Sequence, residues 1–108
     1  MPARGSYAIQ GERNVPARMR DGTVLRADLY RPRGTGPFPT LLMRTPYDKA
    51  RDTTADQAER AASFGYLVAI QDVRGRFASD GDFRPGFYRA DTHDAADGYD
   101  TVEWAARL

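Results

Sequence analysis

The sequence predicts an α/β fold in which N-terminal antiparallel strands lead into a parallel β-α-β-α unit. Three observations carry this. Two apolar runs, Thr40-Leu41-Leu42-Met43 and Tyr66-Leu67-Val68-Ala69-Ile70, show no polar alternation and read as buried strands. Between them lies a segment of helical spacing. Ala58, Ala61 and Ala62 form its narrow apolar stripe, and Gly65 stands where a glycine closes a helix. Ahead of both runs, the turn dipeptide Asp21-Gly22 is of the kind that joins antiparallel strands.

Residues 1–20 are polar and irregular, with an edge strand expected near Tyr7-Ala8-Ile9. After the Asp21-Gly22 turn, Thr23, Leu25, Ala27 and Leu29 share one face while Arg26 and Asp28 take the other, the pattern of a half-buried strand. The stretch from Arg31 to Pro39 is dense in Pro and Gly and is expected to be loop. The run at 40–43 is too short for a helix and is expected to be covered on both faces, as in a parallel sheet. Thr54-Ala55-Asp56-Gln57 fits a capping box, with Thr54 as N-cap and Gln57 reaching back. Loop returns from Asp72 to Phe83. A last helix is expected to start near Thr92, with Asp94 and Asp97 where the helix dipole favours negative charge. Ala95, Tyr99, Val102 and Ala106 recur at helical spacing as its expected buried face.

A chain of 108 residues with 41% apolar and 29% charged residues suits one globular domain. Formal charge is +1, but residues 1–51 carry 10 basic and 4 acidic groups against 6 and 11 in residues 52–108, or +6 against −5. The arginines fall singly on strand-like segments, with no basic run and no interleaved aromatics, which argues against nucleic acid as a partner. The absence of cysteine excludes disulfides, cysteine–zinc sites and thiol nucleophiles. No apolar stretch approaches the roughly 18 residues of a membrane span. The N-terminus lacks the apolar segment of a secretory signal, so a cytoplasmic location away from membranes is expected.

One loop stands out. Arg44-Thr45-Pro46-Tyr47-Asp48-Lys49 follows the first apolar run directly, which puts Tyr47 at the C-terminal end of a buried strand, where open α/β sheets bind ligands. This motif is one of four that occur in a fixed order. The others are Met19-Arg20-Asp21-Gly22 with the strand ending Asp28-Leu29-Tyr30-Arg31-Pro32; Gly65-Tyr66-Leu67-Val68-Ala69-Ile70-Gln71-Asp72-Val73-Arg74-Gly75-Arg76; and Ser79-Asp80-Gly81 through Asp97-Gly98-Tyr99-Asp100-Thr101-Val102-Glu103-Trp104. Across residues 19–104 their order and spacing resemble the CocE/NonD hydrolases, the cocaine-esterase-like and X-Pro-dipeptidyl-peptidase-like α/β-hydrolases.

The resemblance implies the N-terminal part of an α/β-hydrolase fold. Residues 1–108 would be a partial domain, truncated before the Gly-x-Ser-Tyr-x-Gly nucleophile elbow and the later acid and histidine. It implies that the Tyr47 hydroxyl helps bind the oxyanion, with the backbone N–H after the absent serine as its partner donor. The intact protein would cleave ester or amide bonds, X-Pro peptides among them, of a small-molecule or peptide substrate through an acyl-enzyme, with no cofactor and no metal. The alternative is a catalytically inactive fragment whose role, if any, is that of an interaction domain.

The remaining constellations are weaker. None of Ser6, Ser63 and Ser79 lies in Gly-x-Ser-x-Gly, so none is expected to be a nucleophile. His93 is the single histidine, whereas in this fold the catalytic histidine follows the serine and the acid. Asp91, His93, Asp94 and Asp97 suggest a metal, yet acids at a helix start are more simply dipole-stabilised. Asp72-Val73-Arg74-Gly75-Arg76 could line a pocket. The structural reading is favoured, with Asp72 and Arg74 satisfying loop backbone groups and Gly75 making the turn. Asp80-Gly81-Asp82 lacks the further ligands of a calcium loop, and no nucleotide-binding glycine pattern occurs.

Overall fold

The computed structural model describes residues 5–82 and 93–108. The expected helix start at Thr92, the metal candidate Asp91 and the loop end at Phe83 lie outside them. In chain order the elements are β1 (Ile9–Arg18), β2 (Val24–Pro32), β3 (Thr40–Thr45), α1 (Asp52–Ser63), β4 (Leu67–Asp72) and α2 (Asp94–Ala105). The strands form one four-stranded mixed sheet in the order β1-β2-β4-β3. β1 and β2 pair antiparallel, β2 and β4 pair antiparallel, and β3 runs parallel to β4 through the α1 crossover. The architecture is therefore α/β, with N-terminal antiparallel strands and a parallel unit, as the sequence predicts.

The two helices cover opposite faces. Ala58 and Ala62 of α1 pack on Tyr30, Val68 and Ile70, which alternate to one side of the sheet. On the other side, Trp104 packs against Ala17, Met19 and Leu25, and Trp104 with Leu108 covers Ala27, Leu29 and Ala69. Small residues at 58, 62 and 69 let the helices approach the sheet closely. Two glycines are needed for their backbone conformations: Gly22, with φ 89 in the β1–β2 turn, and Gly65, with φ 102 just after α1.

Five expectations are corrected. β1 is ten residues long rather than a short strand near residues 7–9. Its signal is masked because it is a largely exposed edge strand, and a bulge between Glu12 and Val15, with Asn14 at φ 55, breaks the alternation. β2 is buried on both faces along Ala27–Tyr30, since it lies between β1 and β4. β3, expected to be covered on both sides, is an edge strand among the described residues, with Leu41 44% and Met43 46% exposed. α1 begins at Asp52 with Arg51 as N-cap and no side-chain cap, so the Thr54–Gln57 box does not form. An Asp48 turn starts the helix instead: Ala50 N–H donates to Asp48 Oδ1 at 3.0 Å and Arg51 N–H to the Asp48 carbonyl at 3.3 Å.

The fifth correction concerns α2. Ala95, Tyr99, Val102 and Ala106 are exposed, and the buried positions are Asp97, Thr101 and Ala105. Polar contacts set this orientation. The Arg74 guanidinium grips Asp97 with two 2.8 Å hydrogen bonds, from Nε to Oδ2 and from Nη2 to Oδ1. Thr101 Oγ1 donates to Gln71 Oε1 at 3.0 Å, and Arg20 pairs with Asp100 at 2.8 Å. Arg74 also donates to Thr23 Oγ1 and pairs with Asp21, so one side chain fastens the β1–β2 turn, the β4 loop and α2 together. These bonds hold the Arg74 guanidinium more firmly protonated than usual, Asp97 contributing most, and the hydrogen bond from Arg74 keeps the Asp21 carboxyl far below the usual carboxylate range. The stabilisation from Asp21 is therefore fully present above the unfolded aspartate pKa of about 3.9 and is lost on deeper acidification.

The open edge of β3 has a consequence for residues 1–108 on their own. Among the described residues the side of β3 away from β4 has no strand partner, and such an edge beside the exposed Leu41 and Met43 is a template for intermolecular pairing. The isolated chain is expected to self-associate or fold only in part. A cooperatively melting monomer of 12.0 kDa in size-exclusion chromatography and calorimetry would count against this.

Candidate active-site loop

The C-terminal ends of the parallel pair carry two loops, and they are tied to each other. Val73 N–H donates to the Thr45 carbonyl at 3.1 Å, prolonging the β3–β4 ladder, and Arg76 Nε donates to the Pro46 carbonyl at 3.0 Å. Tyr47 lies at the head of the first loop. Its N–H donates to Thr45 Oγ1 at 3.0 Å, while the residue is 63% exposed. Asp48 follows at φ 79, and its carboxylate caps the next turn as described above. Each backbone group around Tyr47 that these bonds engage is held by the protein, so a solvent-facing phenol stands on a fixed main chain.

Beneath this loop lies a buried ionic cluster. Lys49 is 4% exposed, and its Nζ donates to Asn14 Oδ1 at 2.6 Å. The same ammonium lies 3.1 Å from Asp28 Oδ1 and 3.6 Å from Asp72 Oδ2. Lys49 N–H donates to Asp72 Oδ1 at 2.9 Å, and Asn14 N–H to Asp28 Oδ1 at 3.0 Å. Arg13, at 3.8 Å from Asp28 Oδ2, brings a second positive charge to the two carboxylates. Removing one partner of such a buried set costs about 3–5 kcal/mol, because the remaining charge is left uncompensated.

Asp72 is the hub of the second loop. Besides Lys49, its Oδ2 accepts from Ala78 N–H at 3.1 Å and its carbonyl accepts from Ser79 Oγ at 2.6 Å. The expected role of Asp72 in satisfying loop backbone groups is therefore observed, and Gly75 makes the turn at φ 74. The matching expectation for Arg74 is corrected: its bonds go to the side chains of Asp97, Asp21 and Thr23, which supply stronger charge-assisted acceptors than loop carbonyls.

Ser79 is buried, donating to Asp72 and accepting from Arg26 N–H at 2.9 Å. Ser63 donates to the Arg60 carbonyl at 2.6 Å and accepts from Gly5 N–H, and Ser6 is exposed in the N-terminal segment. His93 precedes α2, where its carbonyl accepts from Asp97 N–H. Asp94 pairs with Arg44 at 3.0 Å and Asp97 with Arg74, and the structure does not bring His93, Asp94 and Asp97 together as a ligand set. Asp80 pairs with Arg26 at 2.8 Å. Sequence reasoning missed the Lys49–Asp28–Asp72–Asn14 cluster. The available signal was Asp28 between Ala27 and Leu29 in a strand that the α1 face also covers.

Comparison with known proteins bears on this arrangement. Residues 21–108 match the model of the family described as X-Pro dipeptidyl-peptidase (S15 family). The chain is 44% identical over 104 residues to cocaine esterase from Rhodococcus sp. (strain MB1 Bresler), an alignment covering 93% of this chain and 17% of that protein. Among solved structures, an α-amino acid ester hydrolase superposes with a TM-score of 0.71 at 30% identity, covering 96% of this chain and 20% of the other. A CocE/NonD family hydrolase from Staphylococcus aureus has the same fold, with a TM-score of 0.75 at 24% identity over 93% of this chain and 21% of its own. The chain thus spans about a fifth of the length of these relatives. With its family model matched from the Asp21 turn to Leu108, the chain belongs to the X-Pro dipeptidyl-peptidase (S15) family.

Proposed function

We propose that this chain is the N-terminal part of a serine hydrolase that cleaves ester or amide bonds through an acyl-enzyme, with Tyr47 donating to the oxyanion. The observation that carries the reading is the exposed phenol of Tyr47 on a pinned loop at the C-terminal end of β3. The relatives' names describe an esterase, an ester hydrolase and a peptidase, and the chemistry they share is attack on an acyl carbonyl. That attack drives negative charge onto the former carbonyl oxygen, where a preorganised hydroxyl donor is worth about 2.7–4 kcal/mol.

The topology leaves room for the further strand that this reading requires. β3 is an edge of the sheet among the described residues, and Leu108, just after α2, lines the same depression as Leu67 at the start of β4. A strand following α2 would begin at that end of the sheet and run along β3, parallel to it. Its C-terminal end would then emerge beside Tyr47, where a serine elbow could present its nucleophile and its backbone N–H. On this reading the domain continues past residue 108, and the substrate is a small ester, amide or X-Pro peptide.

The test is turnover of p-nitrophenyl acetate by the full-length protein and by residues 1–108. Turnover is expected from the former. The isolated chain should give none above a free-imidazole background, since no described serine has a nucleophile's setting. Turnover by residues 1–108 that survives His93→Ala and disappears in Ser79→Ala would refute the assignment.

A further inference from the structure

The cluster beneath the Tyr47 loop is an expensive way to hold a strand pair together. It buries an ammonium and two carboxylates, it holds Asn14 at a left-handed φ of 55, and it places an extra residue in β1. Apolar side chains of the same volume would hold β1, β2 and the loop without desolvating charge. What ions and hydrogen bonds add is direction. Lys49 is fixed twice, at its N–H by Asp72 Oδ1 (2.9 Å) and at its Nζ by Asn14 Oδ1 (2.6 Å) and Asp28 Oδ1 (3.1 Å). These anchors come from the bulge of β1, the middle of β2 and the end of β4, three elements that do not move independently within one sheet. Lys49 lies two residues beyond Tyr47, with Asp48 between them at φ 79, so the exit of the loop has little freedom left. The bulge acquires a reason in the same way: it turns the Asn14 side chain onto the ammonium and its N–H onto Asp28.

We propose that Lys49 is a positioning residue for Tyr47, fixing through Asn14, Asp28 and Asp72 where the oxyanion donor stands. This rests on the reading of Tyr47 as that donor. A donor has to lie about 2.7–3.1 Å from the developing oxyanion. A displacement of about 1 Å costs on the order of 10²-fold in rate.

The experiment is a double-mutant cycle in the full-length protein, with p-nitrophenyl acetate as substrate and with kcat and KM measured separately. Lys49→Met is expected to lower kcat about 10²-fold while KM changes little. In a Tyr47→Phe background the same substitution should cost less than about threefold, because the group it positions is already gone. Asn14→Gly keeps the left-handed backbone accessible and deletes only the acceptor, so it provides the same cycle if Lys49→Met does not fold. It is expected to lower kcat several-fold in the parent and hardly at all beside Tyr47→Phe. Equal losses in both backgrounds, with Tyr47→Phe itself impaired, would overturn the Lys49 proposal alone. An unimpaired Tyr47→Phe enzyme would remove the oxyanion reading, and the Lys49 proposal with it.

Discussion

Tyr47→Phe in the full-length hydrolase is expected to lower kcat by on the order of 10²–10³, which corresponds to about 2.7–4 kcal/mol of transition-state stabilisation. KM should move little, since the hydrogen bond strengthens only as charge develops on the substrate oxygen. Thermal stability should hardly change. The ring stays in place, the hydroxyl sits on a residue 63% exposed, and the Thr45 Oγ1 and Arg76 bonds that hold the loop are to backbone atoms the substitution does not touch. A structural anchor would give the reverse pattern. Stability would then fall by about 1 kcal/mol for the lost hydrogen bond, and kcat per folded molecule would survive. Steady-state kinetics and a melting curve on the same preparation separate the two.

Arg74→Met is expected to have a large effect on stability. Arg74 meets Asp97 through two 2.8 Å bonds, and Asp97 is buried on α2. Truncating the guanidinium strands that carboxylate under the helix and also frees Thr23 and Asp21 in the β1–β2 turn. The expected loss is about 3–5 kcal/mol, most of it the cost of an uncompensated buried charge. Chemical denaturation measures it, and amide hydrogen exchange should show α2 losing protection before the sheet. Combining Arg74→Met with Asp97→Leu should restore much of the loss, because a matched apolar pair leaves no charge behind. A double variant as unstable as the single would show that the stranded carboxylate is not the cause.

The sheet's interior was legible in the sequence because burial there is apolar and local. Leu67 to Ile70 are covered on both faces, and Gly22 and Gly65 carry backbone conformations that few other residues tolerate. The errors arise where polarity, rather than apolarity, sets the packing. α2 presents Asp97 and Thr101 to the sheet because Arg74 and Gln71 meet them there, so its apolar periodicity through Tyr99 and Val102 points to the wrong face. The sequence marks only the region of residues 7–9 for β1 because a bulge interrupts an exposed strand, and it points Asp28 to the open face of β2 because its partner, Lys49, is distant in sequence. The Tyr47 loop could be placed from its position after an apolar strand. The ionic platform beneath it could not, since it joins residues 14, 28, 49 and 72, which no local pattern connects.

Covalent trapping in the full-length protein tests the central claim most directly. A fluorophosphonate should form one adduct, visible by intact mass, and peptide mapping should put it on a serine beyond residue 108 within a Gly-x-Ser-Tyr-x-Gly sequence. No adduct in folded protein, or an adduct on Ser6, Ser63 or Ser79, would contradict the account.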